Sequence, residues 1–283
     1  MMTTGIAVTA AAAAALAGAL LAPPRAATPP AASPRTVTAV ATDYHLALPD
    51  SLPAGPTAFR LTNRGRELHQ LFLVRLDAGK SAADLVAAMK AAGEGPLPAW
   101  ATGIGGPNGV DPGATSLATT VRLLPGRYAA LCIIPSPDGV PHVMKGMASD
   151  VVVTPHVVSA AAFAHRPDVT VTLQDYGFEE SRPITAGTHE VIVENGAAQW
   201  HEIELVQLLP GKTPADLMAW TRKMDGPPPA RFIGGVAPLA PGQQNELSLA
   251  LAPGHYVMLC FLPDAKDGKP HFAHGMVHDF VVK

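Results

Sequence analysis

Apolar and polar residues alternate over short stretches along most of the chain. "VTVTLQD" (169–175), "HEVIVEN" (189–195), "WHEIELVQ" (200–207), "ELSLALA" (246–252), "HYVMLC" (255–260) and "HDFVV" (278–282) are short and rich in β-branched and aromatic residues. They predict strands. Pro-Gly pairs at 125–126 and 253–254 predict the turns that precede two of them. Two segments depart from this pattern. "AADLVAAMKAA" follows Ser81, and "PADLMAWTRKM" follows Thr213 with Pro214 at the first helical position. Each predicts a capped helix.

The elements recur. "NRGRELH" (63–69) aligns with "NGAAQWH" (195–201), and "LLPGRYAALC" (123–132) with "LAPGHYVMLC" (251–260). "PHVMKGMASDVVV" (141–153) aligns with "PHFAHGMVHDFVV" (270–282). A unit of this size is a domain rather than a solenoid repeat. The expectation is an all-β chain of two tandem Greek-key β-sandwich domains, each with about seven strands and one inserted helix. The first spans 36–155 and the second 167–283, with the join near 154–168. "DGPPPARFIGG" (225–235) reads as a stiff connection, with a lid or docking edge as the alternative.

Alternation also says which way side chains face. His201, Ile203 and Leu205 share one face of their strand, and Glu202 and Glu204 lie on the other. Tyr256, Met258 and Cys260 share a face too. The alternate set Val257, Leu259 and Phe261 is apolar on the outer face, able to pack between the two domains or between chains. Trp200 and Trp220 read as packing residues.

Composition narrows the class. Of 283 residues, 48% are hydrophobic and 15% charged, enough to bury cores. A formal charge of −3 leaves no basic footprint for nucleic acid. Ile6 to Ala22 is 17 residues without a charge, which suits the apolar core of a secretion signal; the alternative is an uncleaved membrane anchor. "PPRAATPPAASP" (23–34) then reads as a spacer, so 1–35 is leader and linker, and the rest is periplasmic or secreted.

The chain has two cysteines, one per copy, at matching positions. A disulfide would need two equivalent interior sites to meet. Each copy instead repeats an ordered set: His69, Cys132, His142 and Met147, then His201, Cys260, His271 and Met276. A thiolate, two imidazoles and a thioether form a soft, mixed set suited to a trigonal copper site with a weak axial Met. Singly, such residues are ordinary core or satisfied polar groups; the repetition of all four favours metal. His274 and His278 have no counterpart in the first copy and read as solvated, with a labile metal site as the alternative. His45, His156, His165, His189 and His255 have no paired counterpart.

On these residues both halves resemble cupredoxins, the blue copper family that includes plastocyanin and azurin. The Asn-to-His step, the Gly-x-Tyr-x-x-x-Cys strand and the His-x-x-x-Gly-Met ending all resemble plastocyanin. The departure is the spacing: His142 lies ten residues after Cys132, and His271 eleven after Cys260. That long loop resembles the type 1 domain of copper nitrite reductases. The resemblance implies that the eight residues above are copper ligands. Where plastocyanin-like proteins carry Asn after the first ligand His, this chain has Gln70 and Glu202.

The expected function is an exported type 1 copper electron-transfer protein with one or two sites and a redox partner protein. A nitrite reductase or multicopper oxidase would carry a relay His beside the Cys; here the neighbours are Leu131, Ile133, Leu259 and Phe261. A copper-free binding module and a copper storage or delivery protein are the other readings.

Overall fold

In the computed structural model each half contributes strands to two facing sheets, the six predicted strands of the second half among them. The residues described are 1–2, 34–93, 97–155, 167–224 and 226–283. Most of the leader and most of the join lie outside them, as do His156 and His165. The first half runs β1 (Arg35–Thr42), β2 (His45–Ala47), β3 (Ser51–Pro53), β4 (Gly55–Asn63), β5 (Phe72–Leu76), α1 (Ala82–Ala92), β6 (Ala101–Gly103), β7 (Ala118–Leu123), β8 (Gly126–Leu131) and β9 (Ala148–Thr154). The second runs β10 (Val169–Gln174), β11 (Gly177–Glu180), β12 (Gly187–Asn195), β13 (His201–Leu208), α2 (Pro214–Thr221), β14 (Ala230–Leu239), β15 (Gln244–Leu251), β16 (Gly254–Leu259) and β17 (Val277–Val282). Among the described residues the fold is all-β, two tandem sandwiches with one α-helix in each.

The helices begin where the sequence predicts. Thr213 Oγ1 accepts from the N–H of Asp216 at 3.2 Å, and the Asp216 carboxylate accepts from the N–H of Thr213 at 2.8 Å. Ser81 and Asp84 form the same box on α1. Each reciprocal pair satisfies two donors that the helix cannot. Thr213→Ala is expected to lower stability by about 1 kcal/mol, read as a lower midpoint in urea unfolding.

The sheets are not confined to their halves. One eight-stranded sheet runs β11-β10-β12-β15-β7-β4-β1-β2, so it crosses from the second half to the first between β15 and β7. The other faces are β14-β13-β16-β17 and β3-β9-β8-β5-β6. The crossing pairs Leu247 with Thr119, Glu246 with Thr120 and Ser248 with Ala118, antiparallel. Leu247 and Thr119 occupy equivalent positions of the repeat. An approximate two-fold axis therefore passes between them, and the halves meet as the subunits of an isologous dimer do.

A second strip repeats this symmetry and corrects one expectation. The stretch 225–235 is not merely a connection: from Ala230 it is β14, paired with β13 along its length. Its "IGG" (233–235) has a counterpart at 104–106, and the two segments bridge each other at Ile104–Leu239, Pro107–Val236 and Val110–Ile233. Gly235 has φ +138°, and a Cβ there would sit 2.0 Å from the Ile203 carbonyl oxygen. Gly106 stands likewise against the Leu71 carbonyl. Such close backbone approach admits only glycine.

Side chains cross the axis in both directions. Trp200 packs edge-on to Phe72, with ring centroids 6.4 Å apart, inside a first-half cluster. Its equivalent, Leu68, packs into the second-half cluster of Leu217, Phe232, Val257 and Leu259. Val257, Leu259 and Phe261 lie in that same cluster, with Leu217 of α2 and Phe232 of β14 from their own half and Leu68 from the first. Glu202 and Glu204 are buried because the first half covers their face of β13.

Candidate metal centres

The strand after each Pro-Gly turn delivers a cysteine to one end of its sandwich. Cys132 follows β8 and Cys260 follows β16, and both are fully buried free thiols. The loop that follows returns to the cysteine in the same way twice. His142 N–H donates to the Ile134 carbonyl (2.9 Å), Val143 N–H to Cys132 (2.8 Å), and Met147 N–H to His142 (3.0 Å). In the second half His271 donates to Leu262 (2.9 Å), Phe272 to Cys260 (2.9 Å) and Met276 to His271 (3.1 Å). Bridges between Pro135 and Pro141, and between Pro263 and Pro270, pinch off the extra residues as a closed hairpin. The long spacing therefore does not displace the His: the surplus loops out and the ring lands 3.4 Å from the sulfur in both halves. Gly146 and Gly275, at φ +102° and +103°, make the left-handed step from His to Met.

The first His of each set enters from the other side. His69 stands just before β5 and His201 opens β13. Among the described residues His69, Cys132 and His142 form one cluster and His201, Cys260 and His271 another, with the donor atoms of each within 4.8 Å of one another. In the first, His69 Nδ1 is 3.1 Å from His142 Nδ1, which is 3.4 Å from Cys132 Sγ. In the second, Cys260 Sγ is 3.4 Å from His271 Nδ1. Met147 and Met276 are fully buried in the same apolar clusters as their cysteines.

Carboxylates decide which ring nitrogen faces inward. His69 Nε2 donates to Asp43 Oδ1 at 2.8 Å, and His201 Nε2 to Asp175 Oδ1 at 2.9 Å. His142 Nε2 donates to Glu67 Oε2 at 2.8 Å. With the proton held on Nε2, each Nδ1 turns a lone pair toward the sulfur. Two lone pairs 3.1 Å apart repel unless a proton or cation lies between them, and His201 Nδ1 is buried with no hydrogen-bond partner. Donors of this kind, dry and converging, fit a soft metal ion, and a thiol with two imidazoles and a nearby thioether fits copper.

Burial sets the protonation of the ligands. It pushes the Cys132 thiol up to about 12 and the Cys260 thiol well above its ordinary value. It pulls His69 and His201 down and takes His271 to about 4, there helped by the neighbouring His201. Asp43 is held below the usual carboxylate range: partial burial opposes this, but hydrogen bonds from Arg66 and His69 outweigh it.

Six supporting positions are not among those the sequence singled out: Asp43, Tyr44, Glu67, Asp175, Tyr176 and Asp264. Asp43 and Asp175 are each followed by a tyrosine that packs on the loop His: Tyr44 on His142 with centroids 5.0 Å apart, Tyr176 on His271 at 5.6 Å. The signal was available. "DY" recurs at 43–44 and 175–176 at the same step as His69 and His201. The acid near the loop His changes sides between halves. In the first it is Glu67, with Ser136 bonded to Tyr44. In the second Gln199 takes the place of Glu67, and Asp264 accepts from Tyr176 and Gln199. Asp264 stands 4.0 Å from His271 Nε2, which lacks a hydrogen bond. His274 pairs with Asp267 at 3.1 Å, and His278 with Glu180 at 3.3 Å.

No protein-family model and no curated protein matches this chain. Among solved structures it is similar to a reduced auracyanin from the photosynthetic bacterium Roseiflexus castenholzii, at 22% identity over 44% of this chain and 100% of that one, with TM-score 0.31. It is also similar to a copper nitrite reductase from Nitrosomonas europaea, at 12% identity over 88% of this chain and 93% of that one, with TM-score 0.25. A blue copper oxidase from the same organism matches at 11% identity over 87% and 85%, with TM-score 0.25. These likenesses are too distant to carry a role to this chain.

Proposed function

We propose that this chain is an exported electron-transfer protein holding one type 1 copper ion in each half. His69, Cys132, His142 and Met147 would hold the first, and His201, Cys260, His271 and Met276 the second. One observation carries the reading: the same donor types converge twice, in dry sites, with the first His of each pointed by a carboxylate on its far nitrogen. Copper, when bound, supplies a one-electron couple between Cu(II) and Cu(I). The protein's part is to hold two neutral imidazoles and a thiolate in nearly fixed positions. The rigid sandwich and the looped-back turn do this, so little has to move when charge changes.

Export rests on the uncharged run from Ile6 to Ala22, which lies outside the described residues. Among the described residues no helix is long and apolar enough to cross a membrane. The reading is of a carrier rather than an enzyme, because Leu131, Ile133, Leu259 and Phe261 flank the cysteines where a relay His would stand. A separate redox protein would then supply and take the electron.

The decisive experiment adds Cu(II) to the purified metal-free chain and measures bound metal and visible absorption together. Two equivalents of copper with an intense visible band are expected. A colourless protein that holds only Cu(I) would replace electron transfer with storage, and no bound copper would end the reading. Turnover of nitrite or of phenols would overturn the carrier assignment. Asp43→Ala and Asp175→Ala are each expected to weaken copper binding at their own centre about 10–100-fold, measured by competition with a chelator.

A further inference from the structure

A buried hydrogen-bonded bridge joins the two candidate centres across the two-fold axis. Its ends are the residues that follow the first His of each set, Gln70 and Glu202. The N–H of Gln70 donates to Cys132 Sγ at 3.4 Å, and its side-chain Nε2 donates to Asn108 Oδ1 at 2.8 Å. Asn108 Nδ2 then donates to Glu202 Oε2 at 3.2 Å. The other oxygen, Glu202 Oε1, accepts from the N–H of Phe261 at 3.0 Å, and Phe261 is bonded to Cys260. Gln70, Asn108 and Glu202 are all buried. From one sulfur to the other the route is bonds and hydrogen bonds, with no jump through empty space.

Burying three polar side chains at an interface is costly unless each is satisfied. Apolar packing would hold the halves together more simply, and Trp200, Phe72 and Leu68 already do so. The counterpart of Asn108 in the second half is Ala237, so the connector occurs once, near the axis, where a single amide can serve both sides.

We infer that Gln70, Asn108 and Glu202 couple the two centres, so that an electron delivered to one is shared with the other within the same chain. The exchange balances by itself: one centre loses one electron as the other gains it, with no bond broken and no further reactant. This rests on the copper assignment above. Electronic coupling falls more slowly along bonds and hydrogen bonds than across a gap, which gives the bridge its use. Asn108 is a positioning residue, since it touches neither set of ligands directly; Gln70 meets the Cys132 sulfur through its backbone N–H.

The test loads both centres in a Met276→Leu background, which displaces the second centre's spectrum from the first. A flash reductant delivers less than one electron per chain, and the redistribution between centres is followed by absorbance. Reference spectra and potentials come from Cys132→Ser and Cys260→Ser. A phase independent of protein concentration is expected. In Asn108→Leu it should slow several-fold while the spectrum of each centre stays in place. Asn245→Ala is the control: Asn245 also stitches the halves, through Gly106 and Ile104, but lies off the bridge, and the phase should keep its rate. An unchanged rate in Asn108→Leu, with both centres loaded, overturns the inference. Equal slowing in Asn245→Ala overturns it too, by reducing Asn108 to an interface residue. Failure to load copper is a different result: it removes the copper assignment and the inference with it. A copper-free arm reads the bridge alone. The losses of stability in Gln70→Ala and Glu202→Ala should be less than additive in the double variant, and full additivity would mean no bridge exists.

Discussion

Replacing Cys132 and Cys260 together with serine is expected to abolish the visible absorption of the copper-loaded chain, and each single replacement to remove about half of it. The band belongs to charge transfer from sulfur, and an alcohol oxygen cannot supply it. Affinity falls as well, because a serine hydroxyl gives up its proton far less readily than a thiol. Proton release also gives the native protein a pH signature. Burial pushes the Cys132 thiol up to about 12, so at neutral pH the proton must leave as copper enters. His69, His201 and His271 are already neutral there, since burial lowers all three. Apparent affinity at each centre should therefore rise about tenfold per pH unit between pH 7 and 9, one proton per ion. Chelator competition at several pH values measures it. A pH-independent affinity would mean that the thiol is not a ligand.

Glu204 makes the second large effect, on stability. It is buried where the halves meet; its Oε2 accepts from the N–H of Gly109 at 2.9 Å and its Oε1 has no hydrogen-bond partner. Burial, and then the nearby Glu202, raise its pKa well above the ordinary value, with Asp111 adding to this. The sign follows. The folded chain holds this proton more tightly than the unfolded chain does. Stability is fullest below the unfolded glutamate pKa and declines as pH rises through it toward the folded value. Each unit of separation costs about 1.4 kcal/mol once pH exceeds both. Glu204→Gln keeps the shape without the charge. It should match the native chain near pH 4, exceed it at pH 8, and flatten the slope in copper-free urea unfolding. A residual slope up to about pH 7 is expected from Glu202, whose pKa burial raises to about 7. Equal pH profiles for the two chains would show that Glu204 reaches water.

The sandwiches were legible because their signals are local. Alternation marked β10, β12, β13, β15, β16 and β17, and Ser81, Thr213 and Pro214 marked the helix starts. Strand β14 was hidden by the three prolines 227–229 before it and by Gly234 and Gly235 within it, which weaken any strand pattern. Those glycines serve a contact with Ile203 that only the folded chain reveals. The meeting of β7 with β15 left no trace, since Thr119 and Leu247 are ordinary strand residues. At the centres, the repeated His, Cys, His and Met stood out because each was paired across the halves. Asp43 and Asp175 lie far upstream in turns and look like any polar loop residue until the "DY" repeat is compared with the His step. Glu67 and Asp264 could not be found that way, because the acid moves to a different position from one half to the other.

The internal two-fold also determines what this molecule can do that a pair of separate subunits cannot. A homodimer must present every residue twice, once on either side of its axis, and it comes apart on dilution. Here both partners are one polypeptide, so their ratio is fixed at any concentration and a residue beside the axis need not be matched by its twin. Asn108 opposite Ala237 is such an unmatched choice, open only to a fused pair.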